Sequence, residues 1–224
     1  MNSSVACVIP ALNAASSLPD VLRGLRSALP GALIVGVDDG SSDETDAIMR
    51  SACEMVVRLP TNCGKGAALR AGFSAALTLG TDNLLTIDAD GQHDPAFAPE
   101  LIRALSQSDV AVGSRQRTGS GMPLHRRLSN ALSSAAISSV AGCPLPDTQS
   151  GFRAMRRAVV ETVKATGDRY EFETDFIIRA ARLGFRISSV PVPTIYGPSS
   201  HFREWGDSFR VVATIWRHRQ RAIS

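Results

Sequence analysis

The acidic tripeptide Asp88-Ala89-Asp90 directly follows an apolar run with the length of a buried strand. If the chain turns where that strand ends, both carboxylates can reach one crevice. Their oxygens suit a hard divalent cation such as Mg²⁺ or Mn²⁺, which commonly binds substrate phosphates as well. Gln92 follows closely enough to add a ligand. An acidic turn without function would have the same local sequence, so the neighbouring motifs must decide between the two interpretations.

A second acidic cluster, Asp38-Asp39-Gly40-Ser41-Ser42, follows the apolar run Leu33–Val37. Its carboxylates can accept hydrogen bonds from a nucleobase or a ribose. The alternative is a turn followed by a helix, with Ser42 as the N-cap residue. Because capping needs only one of these side chains, the second adjacent acid favours a binding role.

The glycine-rich segment Asn62-Cys63-Gly64-Lys65-Gly66 opens a predicted helix. Glycines allow close backbone approach, a helix N-terminus attracts anions, and Lys65 adds a positive charge. The segment is not a P-loop, because Leu59 stands at the first glycine position and Gly66 at that of the Ser or Thr. It is not a dinucleotide fingerprint either, since Leu69 occupies the third glycine position. These departures argue against a nucleoside triphosphatase and against a dehydrogenase.

Strand and helix signals alternate through the first half of the chain, which is typical of an open, mostly parallel α/β sheet. The predicted strands are Val5–Ile9, Leu33–Val37, Met55–Leu59, Asn83–Ile87 and Val110–Val112. The predicted helices are Leu18–Leu29, a helix capped by Ser42 that runs through Arg50, Ala67–Leu79 and Pro95–Leu105. Because ligands bind beyond the carboxyl ends of such strands, we expect the three polar clusters to converge on one crevice.

The second half of the chain has a less regular pattern. It predicts strands at Gly151–Met155 and Phe185–Val192, a loop at Gln116–Met122, and helices at Leu124–Val140, Ala158–Ala165, Thr174–Leu183 and Glu204–Arg219. The apolar spacing in the last helix suits packing on the domain, and its flanking arginines also suit a basic amphipathic helix on a membrane. No repeat or linker divides the chain, which favours one domain.

The composition is that of a globular chain, with 44% hydrophobic and 20% charged residues. A net charge of +3 is too small to predict a nucleic-acid partner. The four cysteines are widely spaced and form no C-x-x-C pair, which predicts neither a zinc site nor a disulfide framework and favours a reducing compartment. With no recognisable signal peptide and no apolar run long enough to cross a bilayer, we expect a cytoplasmic protein, soluble or peripheral at the inner face of the cytoplasmic membrane.

Six segments, in this order, resemble the inverting glycosyltransferases of family 2, and within them the dolichyl-phosphate mannose synthase-like branch. The segments are Val8–Asn13, Val37–Asp43, Asn62–Gly72, Asp88–Pro95, Val112–Arg115 and Asp147–Arg153. The resemblance implies the GT-A fold, an α/β fold with a single Rossmann-like domain whose mixed, mostly parallel sheet is flanked by helices. It also implies that residues 1–115 bind a nucleotide sugar and residues 116–224 bind the acceptor.

The resemblance further implies roles for individual residues. A UDP- or GDP-sugar donor is expected to meet Pro10, Ala11, Asn13, Asp39, Lys65, Asp88, Ala89 and one or both of Arg126 and Arg127. The expected ligands of Mg²⁺ or Mn²⁺ are Asp88, Asp90 and Gln92. The expected catalytic residues are Asp90, Arg115, Glu173 and Asp175.

The implied reaction is attack by an acceptor oxygen on the anomeric carbon of the sugar, opposite the departing nucleoside diphosphate. A polyprenyl phosphate acceptor is already ionised and needs no general base, whereas a hydroxyl of a glycan or small molecule needs one. Glu173 and Asp175 form Glu-Thr-Asp where many hydroxyl-glycosylating relatives have an adjacent Glu-Asp pair, so the acceptor stays open. The same two acids also suit a helix N-terminus.

Other classes of protein fit the residues less well. Nucleotidyl transferases with a similar sheet use a glycine- and arginine-rich N-terminal loop, and Pro10–Asn13 stands there instead. The intact acids Asp39, Asp88 and Asp90 argue against a non-catalytic nucleotide-sugar binder. The sequence therefore predicts an enzyme, with a non-catalytic binder as the alternative.

Overall fold

Seven strands form one sheet in the computed structural model, which describes residues 4–115, 138–139 and 150–193. The strands are β1 (Val5–Ala11), β2 (Leu33–Asp38), β3 (Met55–Arg58), β4 (Asn83–Thr86), β5 (Val110–Arg115), β6 (Arg153–Arg156) and β7 (Ile187–Val192). Their order across the sheet is β3-β2-β1-β4-β6-β5-β7. Among these described strands only β6 runs opposite to the rest, because its pairs with β4 and β5 are antiparallel and all other pairs are parallel. The predicted mixed, mostly parallel sheet is confirmed.

Helices cover both faces of the sheet. They are α1 (Leu18–Ala28), α2 (Thr45–Ala52), α3 (Lys65–Thr78), α4 (Ala98–Ala104), α5 (Arg157–Thr162) and α6 (Glu171–Arg182). Side chains alternate along β1, so Cys7 and Ile9 face the layer with α1 and α4, while Ala6 and Val8 face the layer with α3 and α6. The core therefore consists of two apolar layers, one on each side of the sheet.

Strand β1 extends two residues further than predicted, through Pro10 to Ala11. Its pairing with β4 stops at Val8, whereas its pairing with β2 continues to Ala11. Beyond Val8 the strand thus has a ladder partner on one side only, which is where a proline without an N–H group can be accommodated.

The predicted N-cap role of Ser42 is wrong. Helix α2 begins at Thr45, and the N–H and hydroxyl groups of Ser42 both donate to the Asn13 side chain. Asp43 takes up the local capping instead, because its Oδ1 accepts from both the N–H and the hydroxyl of Thr45. The side chain of Ser42 therefore cross-links two loops.

Most other predicted elements within the described residues are present, with ends that differ by a few residues. Helix α6 begins at Glu171 rather than Thr174, and a short 3-10 turn, Pro95–Phe97, precedes α4. The predicted loop Gln116–Met122 and helix Glu204–Arg219 lie outside the described residues, as does the predicted helix Leu124–Val140 except for positions 138–139.

Candidate active site

The carboxyl ends of β1 and β2 lie side by side, since Ala11 pairs with Asp38. The next residue, Asp39, donates its N–H to the carbonyl oxygen of Ala11 at 2.8 Å. Its carboxylate accepts the N–H groups of Cys63 at 2.8 Å and Gly64 at 2.9 Å. Asp39 thereby ties together three of the predicted donor segments at one edge of the sheet.

Asp39 is a buried residue, with 4% of its surface exposed. Burial raises the pKa of Asp39 above its usual range, and the two N–H donors partly offset that effect. A carboxylate oxygen has lone pairs for more than one donor, so Asp39 can hold its own loop and still accept from a nucleobase.

The residues expected to line a nucleotide pocket lie in the same place. Pro10 and Ala11 are buried at the end of β1, and the next residue, Leu12, is exposed. Asn13 adopts the left-handed conformation with φ = 50°, which is uncommon for a residue other than glycine. Its N–H donates to the Ser41 hydroxyl at 2.9 Å, which fixes the first strand-end loop against the second.

The N-terminus of α3 is covered by the protein itself. The N–H groups of Gly66 and Ala67 donate to the Asp168 carbonyl oxygen at 2.8 and 3.2 Å. Gly64 has φ = 97°, and a Cβ there would lie 2.4 Å from the same oxygen, so glycine is required for this approach. The expectation that this helix N-terminus attracts an anion is therefore wrong for these two N–H groups. Positive charge at this point comes from the Lys65 side chain.

Lys65 lies between two carboxylates. Its Nζ is 2.7 Å from Asp88 Oδ1 and 3.1 Å from Glu173 Oε2, and it lies 5.6 Å from the centre of the Tyr170 ring. The Lys65, Asp88 and Glu173 side chains are 16%, 22% and 5% exposed, so the cluster is shielded but open to solvent at Asp88. Burial alone would lower the pKa of Lys65, but the charges of Asp88 and Glu173 outweigh it and raise that pKa.

Asp88 lies two residues after the end of β4, and Asp90 lies in the turn that follows. Burial alone would raise the pKa of Asp88, but the positive charges of Lys65, His93 and Arg153 and the hydrogen bond from Lys65 together lower it. Asp90 is exposed and accepts the Gln92 N–H at 2.9 Å. Partial burial of its carboxylate, followed by the negative charge of Asp88, raises the pKa of Asp90. Between them, the Ala89 carbonyl oxygen accepts the Ser17 hydroxyl at 2.6 Å and holds the turn in place.

After burial, the negative charge of Asp88 is the second cause of the raised pKa of Asp90, and a bound divalent cation would offset this repulsion between the two carboxylates. Within residues 4–115, 138–139 and 150–193, no group of three or more His, Cys, Asp and Glu side chains is placed to bind a metal by itself. Mg²⁺ is commonly held by only one or two carboxylates, with water and substrate phosphate oxygens as its other ligands. Asp88 and Asp90 therefore fit a cation whose coordination the substrate completes.

Arg153 is a buried residue of the site to which the sequence motifs assigned no role. It is 3% exposed, and it donates from Nε to the Ser150 carbonyl oxygen at 2.8 Å and from Nη1 to the Glu173 carbonyl oxygen at 3.0 Å. Its charge also contributes to the lowered pKa of Asp88. The available signal was an arginine within the apolar run Phe152–Met155, since a charged residue in a buried strand needs a partner.

The two acids predicted on the acceptor side have different surroundings. The Glu173 carboxylate faces Lys65, whereas Asp175 Oδ2 accepts the Thr166 N–H and the Arg179 Nε–H, both at 2.7 Å. Two residues along an α-helix rotate a side chain by about 200°, so both acids cannot face the same side of α6. Only Glu173 is joined directly to Lys65 by these contacts. Asp175 fixes the loop before α6.

The predicted arginines are only partly covered by the structure. Arg115 is the last residue of β5, at the sheet edge that carries the acidic clusters. Arg126 and Arg127 lie outside the described residues.

No helix within the described part of the chain is long and apolar enough to cross a membrane.

Comparison with known proteins identifies the relatives of this chain. The sequence profile of Glycosyl transferase family 2 matches residues 6–164. An undecaprenyl-phosphate mannosyltransferase from Micrococcus luteus is 36% identical over 217 residues, which cover 91% of this chain and 86% of that protein. A polyprenol monophosphomannose synthase from Mycolicibacterium smegmatis is 31% identical over 201 residues, which cover 83% of this chain and 75% of that protein.

The fold also matches a solved structure. The crystal structure of glucosyl-3-phosphoglycerate synthase from Mycobacterium tuberculosis, in complex with Mg²⁺ and uridine diphosphate, aligns with a TM-score of 0.78 at 24% identity. The alignment covers 97% of this chain and 79% of that one. Together, the sheet, the strand-end clusters and these relatives define a glycosyltransferase with the GT-A fold. The chain belongs to glycosyltransferase family 2, as the six sequence motifs predict.

Proposed function

We propose that this glycosyltransferase moves a sugar from a nucleoside-diphosphate donor to a polyprenyl phosphate, with the help of a divalent cation. The observation that carries the proposal is the cluster of Asp88, Lys65 and Glu173 at the carboxyl edge of the sheet, beside the loops tied by Asp39. It combines acids for a cation with a positive charge for a diphosphate. The names of two sequence relatives support the acceptor, because one specifies undecaprenyl phosphate and the other a polyprenol monophosphomannose.

On the donor side, Asp39 accepts from the nucleobase of a UDP- or GDP-sugar in the pocket formed with Pro10, Ala11 and Asn13. Asp88 and Asp90, with Gln92 beside them, hold Mg²⁺ or Mn²⁺. Support comes from the solved fold relative, whose crystals contain Mg²⁺ and uridine diphosphate. When bound, the cation offsets the negative charge of the departing diphosphate.

The chain's own cations share in that task. Lys65 reaches the crevice from the start of α3, and Arg115 lies at the end of β5. We assign phosphate contacts to these two residues and to one or both of Arg126 and Arg127. Fixed positive groups around a leaving diphosphate stabilise the charge that develops in the transition state.

On the acceptor side, an ionised phosphate oxygen attacks without a general base. Glu173 is paired with Lys65 at 3.1 Å, so in this arrangement its carboxylate is not available as a general base. We assign donor binding mainly to residues 1–115 and acceptor binding mainly to residues 116–224. Because a polyprenyl phosphate resides in a membrane, we place the protein at a membrane surface, on the cytoplasmic side where nucleotide sugars are available.

A hydroxyl acceptor, on a glycan or small molecule, is the second candidate. The observation that favours it is the position of Glu173, a carboxylate that could serve as general base once Lys65 moves away. In that case Glu173→Gln would remove the base and abolish turnover. With a phosphate acceptor the same variant would retain measurable transfer.

The experiment is a transfer assay with purified protein, radiolabelled UDP-, GDP- or dTDP-sugars, and undecaprenyl phosphate in detergent. We expect label in the organic phase with Mg²⁺ or Mn²⁺ and none with EDTA. A parallel reaction with undecaprenol, which carries a hydroxyl in place of the phosphate, is the matched control. Transfer to the alcohol but not to the phosphate would refute the proposed acceptor and support the second candidate.

A further inference from the structure

Lys65 is shared between a residue of the proposed cation site and a residue of α6. Its Nζ is closer to Asp88 Oδ1, at 2.7 Å, than to Glu173 Oε2, at 3.1 Å. Asp88 is also one of the two carboxylates that fit a divalent cation. The Asp88 carboxylate thus already has a positive partner supplied by the protein.

A second positive charge on Asp88 would meet strong repulsion from Lys65. Two like charges a few ångströms apart in a partly shielded site oppose each other by several times the thermal energy. The positive charge of Arg153 cannot move away from a bound cation, because its guanidinium is buried and fixed by the carbonyl groups of Ser150 and Glu173. The ammonium group of Lys65 can move away, because it lies at the end of a flexible four-carbon chain.

We propose that Lys65 is a built-in counter-ion that competes with the divalent cation for Asp88 until the donor diphosphate draws the ammonium away. The inference rests on the proposed function, because it assumes a diphosphate donor. It predicts that the cation alone binds weakly, and that cation and nucleoside diphosphate bind together. Glu173 provides the resting position for Lys65 and is thus a positioning residue for the donor site.

The test measures binding rather than turnover. Mn²⁺ binding to the chain without donor is followed by the electron paramagnetic resonance of free Mn²⁺, and binding of UDP and GDP at saturating Mn²⁺ is followed by calorimetry. The variant is Lys65→Met, which removes the charge and keeps most of the side-chain volume. The matched control is Lys164→Met, since Lys164 is exposed and its ammonium donates only to the Glu161 carbonyl oxygen in the described contacts.

We expect Lys65→Met to bind Mn²⁺ alone about tenfold more tightly than the wild type and to bind the nucleoside diphosphate about tenfold more weakly. Lys164→Met should change neither affinity by more than about twofold. An unchanged or weaker Mn²⁺ affinity in Lys65→Met would overturn the inference. A different result would contradict the proposed function itself: a wild-type protein that binds neither UDP nor GDP in the presence of Mn²⁺.

A second variant covers the case in which Lys65→Met does not fold. Glu173→Gln leaves Lys65 with Asp88 as its remaining carboxylate partner in the cluster, so Mn²⁺ alone should bind about threefold more weakly than in the wild type. Tighter or equal binding in Glu173→Gln contradicts competition at Asp88. The two variants change the Mn²⁺ affinity in opposite directions.

Discussion

Gly151 lies against the carboxylate of Asp88, so closely that a Cβ at position 151 would be 2.3 Å from Asp88 Oδ2. The two residues belong to different parts of the chain, and the contact brings the segment before β6 over the proposed cation site. The Gly151 carbonyl oxygen also accepts the Thr86 hydroxyl at 2.8 Å. The Gly151 backbone is therefore held close to the end of β4 and to Asp88.

The first prediction concerns this contact. Gly151→Ala should displace the Asp88 carboxylate and weaken Mn²⁺-dependent binding of the nucleoside diphosphate by about tenfold or more, because a shift of about 1 Å is enough to lose a metal ligand or an ion pair. Calorimetry measures the affinity. Gly31→Ala is the control, since Gly31 is exposed and a Cβ there meets nothing within 4 Å. Equal affinities in the two variants would contradict the predicted displacement.

The second prediction separates Glu173 from Asp175. Asp175→Asn should lower the free energy of unfolding by about 2 kcal/mol, because it breaks the buried ion pair with Arg179, which is itself partly solvated. Urea denaturation measures this change. Glu173→Gln should cost less stability, since Lys65 keeps Asp88 as a partner, but it should reduce kcat/KM further than Asp175→Asn does. The reverse order in either assay would place the functional acid at Asp175.

The third prediction concerns Asp90. Asp90→Ala should abolish metal-dependent donor binding, because it removes one of the two carboxylates that fit the cation. Calorimetry with the nucleoside diphosphate and Mn²⁺ gives the affinity, and Asp20→Ala serves as control, because Asp20 forms an exposed ion pair with Arg23. An affinity equal to that of the wild type would exclude Asp90 from the metal site.

The fourth prediction uses the cysteines as probes of accessibility. Cys63 is exposed on the loop held by Asp39, whereas burial raises the pKa of Cys7 to about 12 and that of Cys53 to about 11. Since the thiolate is the reactive form, iodoacetamide at pH 8 should label Cys63 and leave Cys7 unmodified in the folded protein. Peptide mass spectrometry resolves the sites. We also expect a bound nucleoside diphosphate with Mn²⁺ to slow labelling of Cys63.

Raising the pH from 7 to 9 extends that test. A thiol with a pKa of about 12 remains almost entirely protonated over this range, so Cys7 should stay unlabelled at both pH values. Denatured protein, in which every thiol is exposed, provides the reference. Labelling of Cys7 in the folded state would show that the first strand of the core opens.

The fold and the edge of the sheet that carries the site were predictable from local sequence. Apolar runs of strand length end at Asp38 and Asp88, and the carboxyl ends of parallel strands share one edge. The order of strands was not predictable in this way. The antiparallel strand β6 inserts between β4 and β5, and that pairing depends on contacts between segments far apart along the chain.

The sequence by itself determined the family and the residue types of the site, because motifs and strand periodicity are local properties. Tertiary structure decided which side chains meet. Helix geometry turns Glu173 toward Lys65 and Asp175 toward Thr166, and the Asp168 carbonyl oxygen occupies the N–H groups at the start of α3. The physical reason is that such ion pairs and hydrogen bonds form only after distant segments pack together, and no spacing along the chain encodes which partner each charge will find.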